Sequence, residues 1–128
     1  MKLKIKITKE ILHKTKYCRV DEGVYKNCAV AIAVRDIFPE AEVGTTFITT
    51  NIKNESTGHF NHLIKLPQSA QEFIQIFDEY GRQGKFLHRI NMHEHEFEID
   101  VPESVIESIG IEEVKQILSS SKTLELVG

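Results

Sequence analysis

The chain has 128 residues, of which 41% are hydrophobic and 27% charged, and a formal net charge of −3. That length suits one domain, and burying about two-thirds of the unfolded surface holds such a chain without a disulfide or a metal. Acidic residues (19) outnumber Lys and Arg (16), which are scattered, so a nucleic-acid partner is excluded as an expectation; so is a membrane, because no apolar run approaches the roughly 18–20 residues of a spanning helix.

Residues 2–7 alternate Lys2, Lys4, Lys6 with Leu3, Ile5, Ile7. This is strand periodicity and not the continuous apolar stretch of a secretory signal, so the expected location is the cytoplasm. Thr8 then caps a short helix with Glu10 in its first turn and Ile11 and Leu12 as its apolar contact. Residues 17–26 read as a loop with Asp21-Glu22-Gly23 as a turn. Cys18 and Cys28 are ten residues apart. That spacing fits neither a CxxC redox pair nor a four-cysteine zinc site, so both are expected as free thiols.

Asn27 is a good N-cap, which makes Cys28 the first residue of an alanine-rich helix over 28–38. Ala29-Val30-Ala31-Ile32-Ala33-Val34 contains no polar residue, the mark of a buried central helix, and Pro39 stops it. Residues 42–50 and 59–66 read as two strands paired antiparallel across a polar connection. Ser69 and Glu72 suggest a capping box for a helix over about 70–80. Its stripe is Ala70, Phe73, Ile74, Phe77 and Tyr80, and Gly81 stands in the place of a C-terminal glycine. Residues 86–92 are assigned the beginning of a strand.

Residues 93–101 alternate His93, His95, Phe97, Ile99, Val101 with Glu94, Glu96, Glu98, Asp100, which predicts a strand with one wet acidic face. A solvated face, or an edge strand charged against aggregation, accounts for those carboxylates more cheaply than a catalytic or cation site. A short helix from Pro102 to about Gly110, a final helix marked by Ile111, Val114, Ile117 and Leu118, a flexible joint over 119–123 and a terminal strand at Leu124 and Leu126 complete the chain. The expected architecture is α+β: a single domain, 1–128, with a mainly antiparallel sheet of about four strands and helices on one face.

Two places could hold chemistry. A cysteine at a helix start meets unpaired N–H groups and the positive end of the helix dipole, which favour thiolate. Strand parity puts His62 on the core face with Ile64 and Leu66, so Cys28 as nucleophile and His62 as general base make a papain-like cysteine hydrolase one reading. In the second, His93 and His95, two apart on a strand and roughly 6.5–7 Å from each other, share a zinc or iron, with His62 and then Cys28 as further ligands by parity. Five of the six histidines lie in the second half of the chain; His13, His59 and His88 enter neither arrangement. The cupin pattern does not fit, because the glutamate and glycines it needs around His93 and His95 are missing. No Gly-rich phosphate loop is present, and the Asn54-Glu55-Ser56 sequon is a chance match in a chain read as cytoplasmic.

Three stretches carry a resemblance: Asn27-Cys28-Ala29-Val30-Ala31-Ile32-Ala33; Leu66-Pro67 followed by Ala70, Phe73-Ile74 and Phe77-Asp78; and Phe97-Glu98-Ile99-Asp100-Val101-Pro102. Together they resemble a pattern shared by small uncharacterised proteins of bacteria and their phages. The resemblance spans about residues 27–102 and implies a compact cytoplasmic domain; it brings no activity with it, and His93-Glu94-His95 is not part of the pattern. With no complete catalytic constellation in view, the leading expectation is a non-enzymatic binding or accessory domain without a cofactor, acting on a protein partner or by self-association. The Cys28–His62 hydrolase and the His93–His95–His62 zinc site are the alternatives.

Overall fold

A computed structural model describes residues 1–19, 26–52 and 62–128. Its elements run β1 (Lys2–Ile7), α1 (Lys9–Lys14), α2 (Ala29–Ala33), β2 (Glu42–Val43), β3 (Phe47–Thr49), β4 (Leu63–Lys65), α3 (Gln68–Arg82), α4 (Phe86–Ile90), β5 (His95–Asp100), α5 (Glu103–Ile109), α6 (Ile111–Ser120) and β6 (Leu124–Leu126). The fold is α+β, with all strand pairs antiparallel. In place of one sheet of about four strands, the described residues form two three-stranded sheets, ordered β5-β1-β6 and β2-β3-β4.

The alternation of β1 is fully expressed. Leu3, Ile5 and Ile7 are completely buried, each contributing about 1.5–3 kcal/mol by leaving water. The opposite face is wet and ionic. Lys2, Lys4 and Lys6 stand across from Asp100, Glu98 and Glu96 of β5. Lys4 pairs with Glu96 at 3.9 Å and Lys6 with Glu125 of β6 at 3.1 Å. The acidic row of β5 is thus one half of a cross-strand charge ladder on an exposed face.

Helices cover the other face. α2 packs on β1, α3 on β5, and α1 and α4 pack against each other and against α2 and α3 respectively. The Thr8 cap forms, with the Ile11 N–H donating to Thr8 Oγ1 at 3.3 Å. Thr8→Ala should cost about 1 kcal/mol, read as a lower urea midpoint with an unchanged slope; no change would show that the cap is idle.

Several boundaries differ from expectation, each for a local reason. The alanine-rich helix is α-helical only over Ala29–Ala33, with Cys28 as its N-cap rather than its first residue. Beyond it the chain tightens: Arg35 N–H donates to Ile32 O and Ile37 N–H to Val34 O, the three-residue spacing of a 3₁₀ turn, as Pro39 approaches. The 42–50 strand is split by a turn at Gly44, whose N–H donates to Phe47 O, so β2 and β3 form a hairpin of their own. The antiparallel partner is β4; its expected beginning at residues 59–61, like the Asp21-Glu22-Gly23 turn, His59 and the sequon, lies outside the described residues. α3 begins one residue before Ser69, after Pro67, and no side chain caps it, so the expected capping box is not used. Residues 86–90 are helical and not strand. The expected joint at 119–123 is tied down by hydrogen bonds. Ser119 and Ser120 donate to Gln116 O within the last turn of α6. Ser121 donates to Asp36 at 2.7 Å and accepts the N–H groups of Thr123 and Leu124.

Candidate functional site

Cys28 sits in the core with 5% of its surface exposed. Burial pushes its thiol up to about 12; the Ala31 and Val30 amides at the start of α2 pull the other way but close no cap hydrogen bond. The expected lowering therefore does not occur. A five-residue helix has a small dipole, and desolvation of a thiolate outweighs it. No histidine among the described residues hydrogen-bonds Cys28; the charged groups that it senses are Cys18 and Asp78.

His62 lies immediately before β4 and is half-buried. Its Nε2 is 3.4 Å from the hydroxyl of Ser104, at the exposed start of α5, so the neighbour given to it is a serine and not the thiol. Ile64 and Leu66 are buried as parity required.

The two remaining histidines are held apart by structure. β5 begins at His95, so His93 precedes the strand, is exposed, and is not bound by its alternation. His95 is half-buried. Its ring stacks on Phe73, with centroids 5.3 Å apart and planes 13° apart, and lies 6.0 Å from Phe97. It extends an aromatic stack, with Nε2 buried and unpartnered. Among the described residues no three His, Cys, Asp or Glu side chains are grouped as a metal ion requires, so His62, His93 and His95 do not converge.

The sequence reading missed the most polar part of the interior. Arg89, in α4, is 0% exposed. Its Nε donates to Phe77 O at 2.8 Å, and its Nη1 to Lys16 O at 2.8 Å and Cys18 O at 2.7 Å. Its guanidinium carbon lies 3.8 Å from the centre of the Phe77 ring, a cation–π contact. Desolvation lowers the Arg89 pKa, but an arginine starts so high that it stays charged. Asp78, 4% exposed, has its pKa raised by burial, against the opposing pull of Arg82 and Arg89. The third guanidinium nitrogen, Nη2, has no hydrogen-bond partner and abuts Gly81, where a Cβ would collide with it and lie 2.9 Å from Cζ. The geometry is that of a clamp tying the chain after α1 to α3. Residue spacing carries no sign of it, since an arginine inside Phe86-Leu87-His88-Arg89-Ile90 reads as surface.

Two surface clefts complete the survey. One, of about 660 Å³, lies beside the start of α1 and is lined by Lys9, Lys14, Arg35, Asp36, Glu94 and Lys122 among others. Most of its charged groups are engaged internally: Lys9 N–H donates to Glu94, Lys14 pairs with Glu10, Arg35 donates to Asn27, and Asp36 accepts from Ser121. The other, of about 700 Å³, lies between the two sheets. Phe47, Leu66 and Pro67 form its apolar floor, and Lys65, Gln68, Gln71, Glu98 and Asp100 its polar walls. Such a volume falls in the range of ligand clefts. Among the described residues neither Lys65 nor Glu98 takes part in an ion pair. Phe47 is 40% and neighbouring Leu63 58% exposed.

The chain matches no family model, no curated protein and no solved structure. Among the described residues no helix is long and apolar enough to cross a membrane.

Proposed function

We propose that this chain is a non-enzymatic binding domain that acts by contact with a protein partner, through the cleft between the two sheets. The observation that carries the reading is the composition of that cleft. An apolar floor exposing Phe47 is bordered by Lys65 and Glu98, neither of which takes part in an ion pair among the described residues. Contact surfaces of this kind combine an apolar centre with a polar rim. The thiol reading draws no comparable support, because Cys28 is buried and its proton is held to about 12.

The test is selection from a random peptide library displayed on phage, run in parallel on the protein and on a Phe47→Glu variant. Phe47 is partly exposed, so the variant should fold. Peptides enriched on the protein and lost at least tenfold on the variant are expected, since a buried carboxylate in an apolar floor costs well over ~1.4 kcal/mol. Enrichment no better than the bare scaffold, or equal on both proteins, would sink the reading.

A further inference from the structure

We propose that this chain assembles head to tail with a second copy of itself, a basic, aromatic end of one molecule seating on an acidic end of the next. Neither surface is the cleft between the sheets, and the inference does not rest on that cleft.

Strand direction sets the two ends apart. β1 and β5 run antiparallel, with Ile7 across from His95 and Lys2 across from Asp100. α1 follows Ile7 and α4 precedes His95, so both lie at one end of this pair. α5 follows Asp100 and leads into the start of α6, so these lie at the other end. The six residues of β5 put roughly 17 Å between the ends.

The first end is apolar and basic. Tyr17 and Leu87 are 64% and 67% exposed, the most exposed large hydrophobic side chains among the described residues. Single exposed apolar residues are ordinary, whereas grouped ones mark contact surfaces. These two are grouped. The Tyr17 ring meets Phe86 edge-on, with centroids 5.3 Å apart, and Phe86 precedes Leu87 in α4, which packs on α1. Lys16 Nζ lies 5.3 Å from the centre of the Tyr17 ring, and Lys85 stands just before α4. The exposed carboxylates Glu10, in α1, and Glu79, late in α3, are taken up by Lys14 and Arg82. Lys16 and Lys85 take part in no ion pair among the described residues.

The second end has the opposite sign. Glu107 of α5 and Glu113 of α6 are exposed and also take part in no ion pair among the described residues. Between them in the chain stands Ile111, 43% exposed. Each end thus offers exposed apolar surface beside two charges that no described residue pairs, and the two signs are complementary, which steers and registers a protein contact. A membrane or a nucleic acid would suit the basic end and leave the acidic end with Ile111 unaccounted for, whereas a second copy accounts for both. Because the ends lie across the molecule from one another, the contact closes between copies and not within one. The joined surfaces differ, so the interface is heterologous and its repetition gives a ring or an open chain.

The experiment is sedimentation velocity on the full chain from about 10 μM to about 1 mM, a span that covers weak protein contacts. The mean mass is expected to rise with concentration and to fall back in about 1 M salt. Two charge-reversed proteins are compared: Lys16→Glu with Lys85→Glu, and Glu107→Lys with Glu113→Lys. Each alone should associate at least tenfold more weakly, and an equal mixture of the two should recover association, since each then offers the sign that the other needs. Leu87→Ser, at the most exposed of these side chains, should weaken association several-fold with no threat to folding. Phe47→Glu, in the cleft, should leave it unchanged. A monomer throughout the range, a mixture no more associated than its components, no effect of Leu87→Ser, or loss of association in Phe47→Glu overturns the proposal. So does a monomer that instead sediments with phosphatidylserine vesicles in a Leu87-dependent way, which would give the basic end to a membrane. Peptide selection at the cleft is read separately, so either reading can fail alone.

Discussion

Replacing Gly81 by alanine is expected to destabilise the protein by about 1–3 kcal/mol, and the same replacement in an Arg89→Met background is expected to stabilise it by about 0.5–1 kcal/mol. Gly81 lies inside α3, where alanine is the better helix former by that amount. What opposes the gain is one contact: a Cβ at position 81 meets Arg89 Nη2 and Cζ. The end of a long side chain usually moves aside at little cost. This one is fixed by bonds to the carbonyls of Phe77, Lys16 and Cys18 and by the Phe77 ring, so moving it breaks charge-assisted hydrogen bonds in a dry interior. Arg89→Met alone should cost about 2–4 kcal/mol, because those carbonyls lose their donor. Arg89→Lys is a second background should the methionine variant prove too unstable. It keeps a charge but has no Nη2, and there too alanine at 81 should be harmless. The cycle is read from urea unfolding. An alanine penalty of equal size in all three backgrounds would show that the Gly81–Arg89 contact is not the cause.

The same pair shows where sequence reading stops. Alternation in β1 and β5, the Thr8 cap, the apolar stripe of α3 and the short helix ending at Gly110 are local patterns, and each leads to the element observed. Gly81 was expected to end α3 by position alone. The chain instead continues to Arg82, and it is Gly84, at φ +69°, that supplies the left-handed residue after the helix. The role of Gly81 depends on a residue eight positions on, in another helix, and no periodicity records that. Residues 42–50 illustrate a second limit. Their composition is that of a strand, but whether one long strand or a hairpin forms depends on a bond across Gly44. The grouping of Cys28 with His62, His93 and His95 failed to appear for a third reason. Parity fixes which face of a strand a side chain is on, not which strand lies beside which, and β4 and β5 belong to different sheets. His93 escaped parity altogether because the strand starts two residues later. The cleft between those sheets was invisible for the same reason, although Lys65, Glu98 and Asp100 could each be placed on a wet face.

Unfolding free energy is expected to fall as pH rises from about 9 to about 12, and a Cys28→Ala variant should be spared that part of the fall. An unfolded cysteine releases its proton near its ordinary value of 9.0, whereas the folded one holds it to about 12. Between these values the unfolded state binds fewer protons than the folded state, so stability drops with a slope approaching ~1.4 kcal/mol per pH unit. The stability is fully present below about 9 and is lost as pH rises through the folded value. Other groups titrate in the same range, so the informative quantity is the difference between the two proteins, measured by urea unfolding at several pH values. Parallel curves, or ultraviolet thiolate absorbance appearing near pH 9 in a folded Cys18→Ser variant, where Cys28 is the one remaining thiol, would contradict the account. The same physics bears on function. Flanked by Ala29, Val30 and Ala31 and closed off from water, Cys28 should resist iodoacetamide at neutral pH until the chain unfolds, as mass spectrometry of the native protein can check. A small side chain that keeps its proton is what suits this residue to the core.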